Sequence, residues 1–224
     1  MSVFVLIPGA GGMAWYWHRV VPELQARGHQ AVAVDLPGAD QQAGLPEYTG
    51  TVIGAISDHD HVVLVAQSLG GFTAPMACAR APVDLLVLLN AMIPLPGETP
   101  GQWWEATGSP AARVEAAQAR GYAEELDLDA YFLHDVPAEV AAAGADHERP
   151  EADIVFSQPC DIERWPDVTT RVLAGADDRF FPLEFQRRVA RDRLGIRADV
   201  IPGGHLLALS RPVELVDRLI GYLP

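Results

Sequence analysis

One ten-residue stretch constrains this chain more than any other: Val62-Val63-Leu64-Val65-Ala66-Gln67-Ser68-Leu69-Gly70-Gly71. An apolar, β-branched run stops at Gln67-Ser68, and a helix-compatible stretch follows. A short continuous apolar run fits a strand buried on both faces. Strand, sharp turn with one serine, then helix is the local form that lifts a hydroxyl above the edge of a parallel sheet. Ala66 and Gly70 flank Ser68 and are small enough for such a turn to close. In isolation, small-x-Ser-x-Gly is common, and a serine capping a helix explains it as well. The strand-turn-helix context favours the nucleophilic reading.

The rest of the chain repeats that alternation. Val3 to Ile7, Ala31 to Leu36, Val62 to Ala66, Leu85 to Leu89, Arg171 to Ala174 and Asp199 to Ile201 read as strands. Helical patterns fall at Trp15 to Arg27, Tyr48 to Ile56, Leu69 to Arg80 (with a kink expected at Pro75), Leu183 to Leu194 and Pro212 to Leu223. Continuously apolar strands separated by helices predict an α/β class: a doubly wound, mostly parallel sheet of about six strands, helices on both faces. Residues 91–166 break the rhythm. They are Pro-rich at first, then Ala-rich and acidic, with Trp103, Trp104, Tyr131, Phe132, Phe156 and Trp165 scattered through them. We read residues 1–224 as one domain and 91–166 as a helical lid insertion.

Composition excludes several functions. Net charge is −14, which repels nucleic acid and anionic lipid, so neither is an expected partner. All 16 basic residues are arginine; a phosphate-binding P-loop and Schiff-base chemistry both need a lysine. Cys78 and Cys160 lie far apart and outside metal-ligand spacing, so two reduced thiols are expected and no metal. No apolar run approaches a membrane span and the N-terminal segment reads as a first strand, so a cytoplasmic location is expected.

A serine hydroxyl needs an imidazole to take its proton, a carboxylate to orient that imidazole, and N–H donors for the oxyanion. Ser68 is the candidate nucleophile. Gly175-Ala176-Asp177-Asp178 follows the next-to-last strand, and either aspartate could serve; Asp178 is the choice, with Asp177 as a turn residue. Pro202-Gly203-Gly204-His205 follows the last strand and makes His205 the base. The other six histidines lack that placement, although His134 could face the pocket from the insertion. Pro8-Gly9-Ala10-Gly11-Gly12 follows the first strand. Its glycines let backbone N–H groups point at a ligand, and the Ala10 and Leu69 N–H groups would form the oxyanion hole. A dinucleotide loop is the rival reading, with Asp35 near a ribose-binding position. The glycine spacing is wrong for it, and no cofactor is expected.

These features together resemble the α/β-hydrolase superfamily: the glycine loop, Asp35-Leu36-Pro37-Gly38 after the second strand, the Ser68 turn, and the late Asp178 and His205 loops. Gly9-Ala10-Gly11-Gly12-Met13-Ala14-Trp15-Tyr16-Trp17 looks most like the small esterase and hydroxynitrile-lyase branch. The His-Gly usual in that loop is Pro8-Gly9 here, which leaves the loop's bracing open but not its backbone donors. The resemblance implies strand order 2-1-3-4-5-6, with a switch point between the first and third strands. It also implies a serine hydrolase acting on an apolar small-molecule ester or thioester. Cyanohydrin cleavage ranks lower, because plant enzymes of this fold use a lysine there. A receptor or carrier that retains the triad, or a thioesterase acting on a carrier-bound substrate, are further alternatives. The acyl group, the leaving group and the oligomeric state have no signature in the sequence.

Overall fold

The structure is a computed structural model that describes residues 1–147 and 149–224. Six strands form one parallel sheet: β1 (Val3–Ile7), β2 (Gln30–Ala33), β3 (Val62–Gln67), β4 (Leu85–Leu89), β5 (Thr169–Gly175) and β6 (Asp199–Ile201). Their order is β2-β1-β3-β4-β5-β6, as the resemblance implied. The chain moves outward from β1 to β2, then returns to place β3 on the other side of β1. The loops leaving β1 and β3 therefore diverge at one point, where a crevice opens above the strand ends.

Side chains alternate across each strand, so the central strands feed two cores. Val3, Val5, Ile7, Leu64, Ala66, Leu86 and Leu88 pack on one face. The helices there are α2 (Leu45–Ile56), α3 (Gly70–Cys78) and α7 (Leu183–Leu194), through residues such as Val52, Phe72 and Phe185. Phe4, Leu6, Val63, Val65, Val87 and Leu89 point the other way, against α1 (Val20–Ala26) and α9 (Pro212–Ile220). With both faces covered, the strands carry no polar alternation, which is why they read as unbroken apolar runs.

Three boundaries differ from expectation for physical reasons. The helix expected from Trp15 to Arg27 is a 3-10 turn, Ala14–Trp17, followed by α1. Pro22 has no N–H to offer the His18 carbonyl, so one continuous helix cannot form. The strand expected to reach Leu36 ends at Ala33; beyond it, the Leu36 N–H turns to the Gly12 carbonyl at 2.7 Å. The helix expected at Tyr48 starts at Leu45, where Pro46 occupies the first turn and Glu47 accepts the Gly44 N–H at 2.8 Å. The helix through Pro75 continues to Cys78.

Between β4 and β5 lie α4 (Pro100–Thr107), α5 (Ser109–Arg120), a π-turn (Asp129–Leu133), α6 (Ala138–Gly144) and a 3-10 turn (Asp153–Ser157). Trp103 and Val155 from this stretch are fully buried in the same core as one sheet face. A four-residue helix that the pattern did not announce, α8 (Leu207–Ser210), follows β6. Among the described residues, no helix is long and apolar enough to cross a membrane.

Candidate active site

Ser68 sits between β3 and α3 with φ +51°. A non-glycine residue in that region costs about 1–3 kcal/mol and persists only where its surroundings enforce it. Here the Ser68 carbonyl accepts the N–H groups of Gly71 and Met92, each at 3.0 Å, and its own N–H donates to the Leu89 carbonyl at 3.3 Å. Gly70 shows why a small residue is needed: a Cβ there would stand 2.7 Å from the Pro8 carbonyl oxygen. Ser68 lines a cavity of about 790 Å³ at the sheet's switch point.

Burial separates the two adjacent aspartates. Asp178 is fully buried, whereas Asp177 is exposed. Asp178 Oδ1 accepts the backbone N–H groups of Phe180 (2.9 Å) and Phe181 (2.8 Å). Its Oδ2 lies 2.9 Å from His205 Nδ1 and accepts the Gln186 amide at 3.1 Å. A buried carboxylate with this many donors is fixed in one orientation. With its proton on Nδ1, His205 donates a hydrogen bond to Asp178, which leaves Nε2 as the acceptor. Asp177 instead accepts the Gly203 N–H at 3.1 Å, a turn-bracing role.

His205 is 1% exposed. Phe132, Phe180 and Phe181 surround its ring edge-on, with centroids 5.1–5.3 Å away. Ser68 and His205 line the same cavity, together with Gly9, Ala10 and Leu69. Among the described residues, neither the Ala10 nor the Leu69 N–H has a protein acceptor. Two free donors beside a serine are what a developing oxyanion requires. Most of the remaining wall is carbon, including Trp104, Phe132, Phe156, Leu206 and Leu209. Of the aromatic residues flagged between positions 91 and 166, Trp104, Phe132 and Phe156 thus reach the cavity, while Trp103 and Tyr131 are fully buried.

Two residues that the sequence reading passed over hold the site together. Asn90, just past β4, is completely buried with φ +43°. Its amide donates to the Gly204 and His205 carbonyls, both at 3.0 Å, and its oxygen accepts the Gly175 N–H at 2.7 Å. One side chain therefore ties the aspartate loop to the histidine loop. Gln186 on α7 lies within hydrogen-bond reach of Asp178, the Phe181 carbonyl (2.7 Å) and Asn90 (3.2 Å). The available signal was an asparagine ending an apolar strand, a residue that tolerates positive φ.

Other candidates fall away from this centre. His134 lines a separate polar pocket with Arg120, Tyr122 and Arg179. Burial first, then the Arg179 charge, hold its pKa below the ordinary value. Asp35 accepts the Ala14 N–H at 3.0 Å and pairs with Arg149. Cys78 and Cys160 are both free, and burial pushes each thiol up to about 12, away from nucleophilic chemistry.

Comparison with known proteins bears on the family and the fold. The sequence matches the alpha/beta hydrolase family over residues 4–218. It is 30% identical to methylesterase 7 of Arabidopsis thaliana, over 97% of this chain and 94% of that protein. Probable esterase PIR7A of Oryza sativa is 36% identical over 44% of this chain, and the match spans only 42% of that relative's length. The match to methylesterase 3 of Arabidopsis thaliana likewise spans about half of that protein, 54%, at 30% identity. The crystal structure of polyneuridine aldehyde esterase superposes with a TM-score of 0.82, covering 99% of this chain and 98% of that one. At 21% identity, that likeness is one of fold.

Proposed function

The chain belongs to the alpha/beta hydrolase family, and on that premise we propose that it hydrolyses carboxylic esters of apolar acids through an acyl-enzyme on Ser68. His205 Nε2 takes the Ser68 proton as Oγ attacks the ester carbonyl. The carbonyl oxygen, now charged, is received by the Ala10 and Leu69 N–H groups. His205 passes the proton to the departing alcohol, and a water repeats the sequence to release the acid. Asp178 holds the imidazole in its useful tautomer and stabilises its cation. No step consumes a cofactor.

The observation that carries this reading is the His205–Asp178 pair, buried beside a mostly apolar cavity that Ser68 lines. The wall favours small-to-medium apolar acyl or alcohol groups; a thioester would meet the same machinery. Trp104, Phe132, Leu133, Val140 and Phe156 line the cavity from residues 91–166, which supports a lid role for that stretch. The names of relatives such as methylesterase 7 support an ester substrate.

A fluorophosphonate probe followed by peptide mapping tests the reading without a guess at the substrate. Labelling is expected at Ser68. Ser68→Ala should lower hydrolysis of short p-nitrophenyl esters by roughly 10³-fold or more. Undiminished turnover in that variant would refute the assignment.

A further inference from the structure

The glycine loop after β1 is braced only in part by its own residues. Pro8, Gly9, Ala10, Gly11 and Gly12 carry no polar side chain, and Pro8 has no N–H. One internal bond, from the Gly12 N–H to the Gly9 carbonyl at 3.1 Å, holds the peptide that carries the Ala10 N–H, but the glycines on both sides leave that turn pliant. An oxyanion donor needs the opposite, an N–H already aimed before the charge develops.

The support comes from the stretch between β4 and β5. Arg149 Nε donates to the Gly11 carbonyl at 2.6 Å, and its Nη2 donates to the Gly12 carbonyl at 2.8 Å. Glu151 Oε2 accepts the Gly11 N–H at 2.8 Å. Both polar backbone groups of the residue after Ala10 are therefore held by side chains 138 and 140 positions away. Each side chain is itself anchored. Arg149 pairs with Asp35 at 2.7 Å, and Asp35 also accepts the Ala14 N–H beyond the loop. Glu151 accepts the hydroxyl of Tyr48, a residue buried on α2. The approach is tight: Gly11 has φ +81°, and a Cβ on it would stand 2.8 Å from the Arg149 carbonyl oxygen.

We infer that Arg149 and Glu151 are positioning residues that aim the Ala10 N–H at the oxyanion, so that the segment covering the cavity also completes the catalytic site. This rests on the hydrolase reading above. The pair reinforces the loop's own turn: Arg149 Nε holds the carbonyl of the Gly11–Gly12 peptide, and the N–H of that same peptide donates to the Gly9 carbonyl. Displacing residues 149–151 would switch off transition-state stabilisation while leaving Ser68, Asp178 and His205 untouched.

The test compares Arg149→Ala, Glu151→Ala, Glu151→Gln and Tyr48→Phe with the parent chain. The readouts are kcat, KM, thermal stability and affinity for an aryl trifluoromethyl ketone, which adds to the serine and places an oxyanion in the hole. The two alanine variants should lose roughly 10- to 100-fold in kcat with KM changed less than about threefold, a transition-state defect. Ketone affinity should fall by the same factor as kcat/KM. Glu151→Gln keeps an acceptor for the Gly11 N–H and should recover most of the rate. Tyr48→Phe removes only the anchor and should lose about threefold. If an alanine variant does not fold, the Gln and Phe variants decide. Unchanged kcat, losses confined to KM, or Glu151→Gln as impaired as Glu151→Ala would overturn the brace. A parent chain that neither labels at Ser68 nor turns over esters overturns the hydrolase reading instead.

Discussion

Two walls of one cavity are built on opposite principles. On the strand-end side, His205 lines the cavity and is backed by Asn90, Asp178 and Gln186, all polar, each at most 5% exposed, and linked by hydrogen bonds. On the side formed by residues 91–166, Trp104, Phe132, Leu133, Val140 and Phe156 present carbon and ring faces, with Arg149 the charged exception. Buried polar groups are satisfied only in specific directions, so that wall has one working geometry. Apolar contacts are non-directional and tolerate changes of volume. The first wall is suited to chemistry that must not vary, the second to substrate choice that can.

The sharpest way to break this contrast is Asp178→Asn. The amide cannot stabilise an imidazolium and disturbs the tautomer, so kcat should fall by roughly 10³- to 10⁴-fold with KM nearly unchanged. A small effect would mean that the strand-end wall is structural only. Asn90→Ala should follow in size. It strands the Gly175 N–H and two carbonyls in a dry core and should cost about 3 kcal/mol of stability, measured by urea denaturation, with a parallel loss of kcat. Phe156→Ala belongs to the other wall. It should leave kcat on the best ester within about threefold while shifting the preference toward longer acyl chains by about tenfold in kcat/KM. Equal losses on all chain lengths would place Phe156 with the rigid wall.

The smallest expected effect concerns pH. Burial raises the Glu151 carboxyl above its ordinary value, and hydrogen bonds from Tyr48 and the Gly11 N–H only partly oppose it. The folded chain therefore holds this proton more tightly than the unfolded chain. That contribution is fully present below the unfolded-state pKa and is lost as pH rises through the folded one. Glu151→Gln has no carboxylate to desolvate. Its Tm relative to the parent should rise by about 2 °C between roughly pH 4 and pH 7. A constant difference across that range would remove Glu151 from the list of strained buried groups.

Much of the scaffold was legible because its signals are local. Val3–Ile7 and Leu85–Leu89 matched their expected bounds, since a strand covered on both faces announces itself as an apolar run. The Ser68 turn was legible because strand, small residues and helix are contiguous. The choice between Asp177 and Asp178 was only an expectation until burial separated them. Asn90, Gln186, Arg149 and Glu151 gave almost no signal, because their partners are as much as 140 positions distant.

By itself, then, the sequence determined the periodicity that makes a parallel sheet and the order of the three loops that carry serine, acid and imidazole. Those depend on residues a few positions apart. Only the tertiary structure decided which aspartate meets His205, which amide ties the loops together and what holds the glycine loop, because hydrogen-bond partners distant in the chain are chosen by the packing of whole elements.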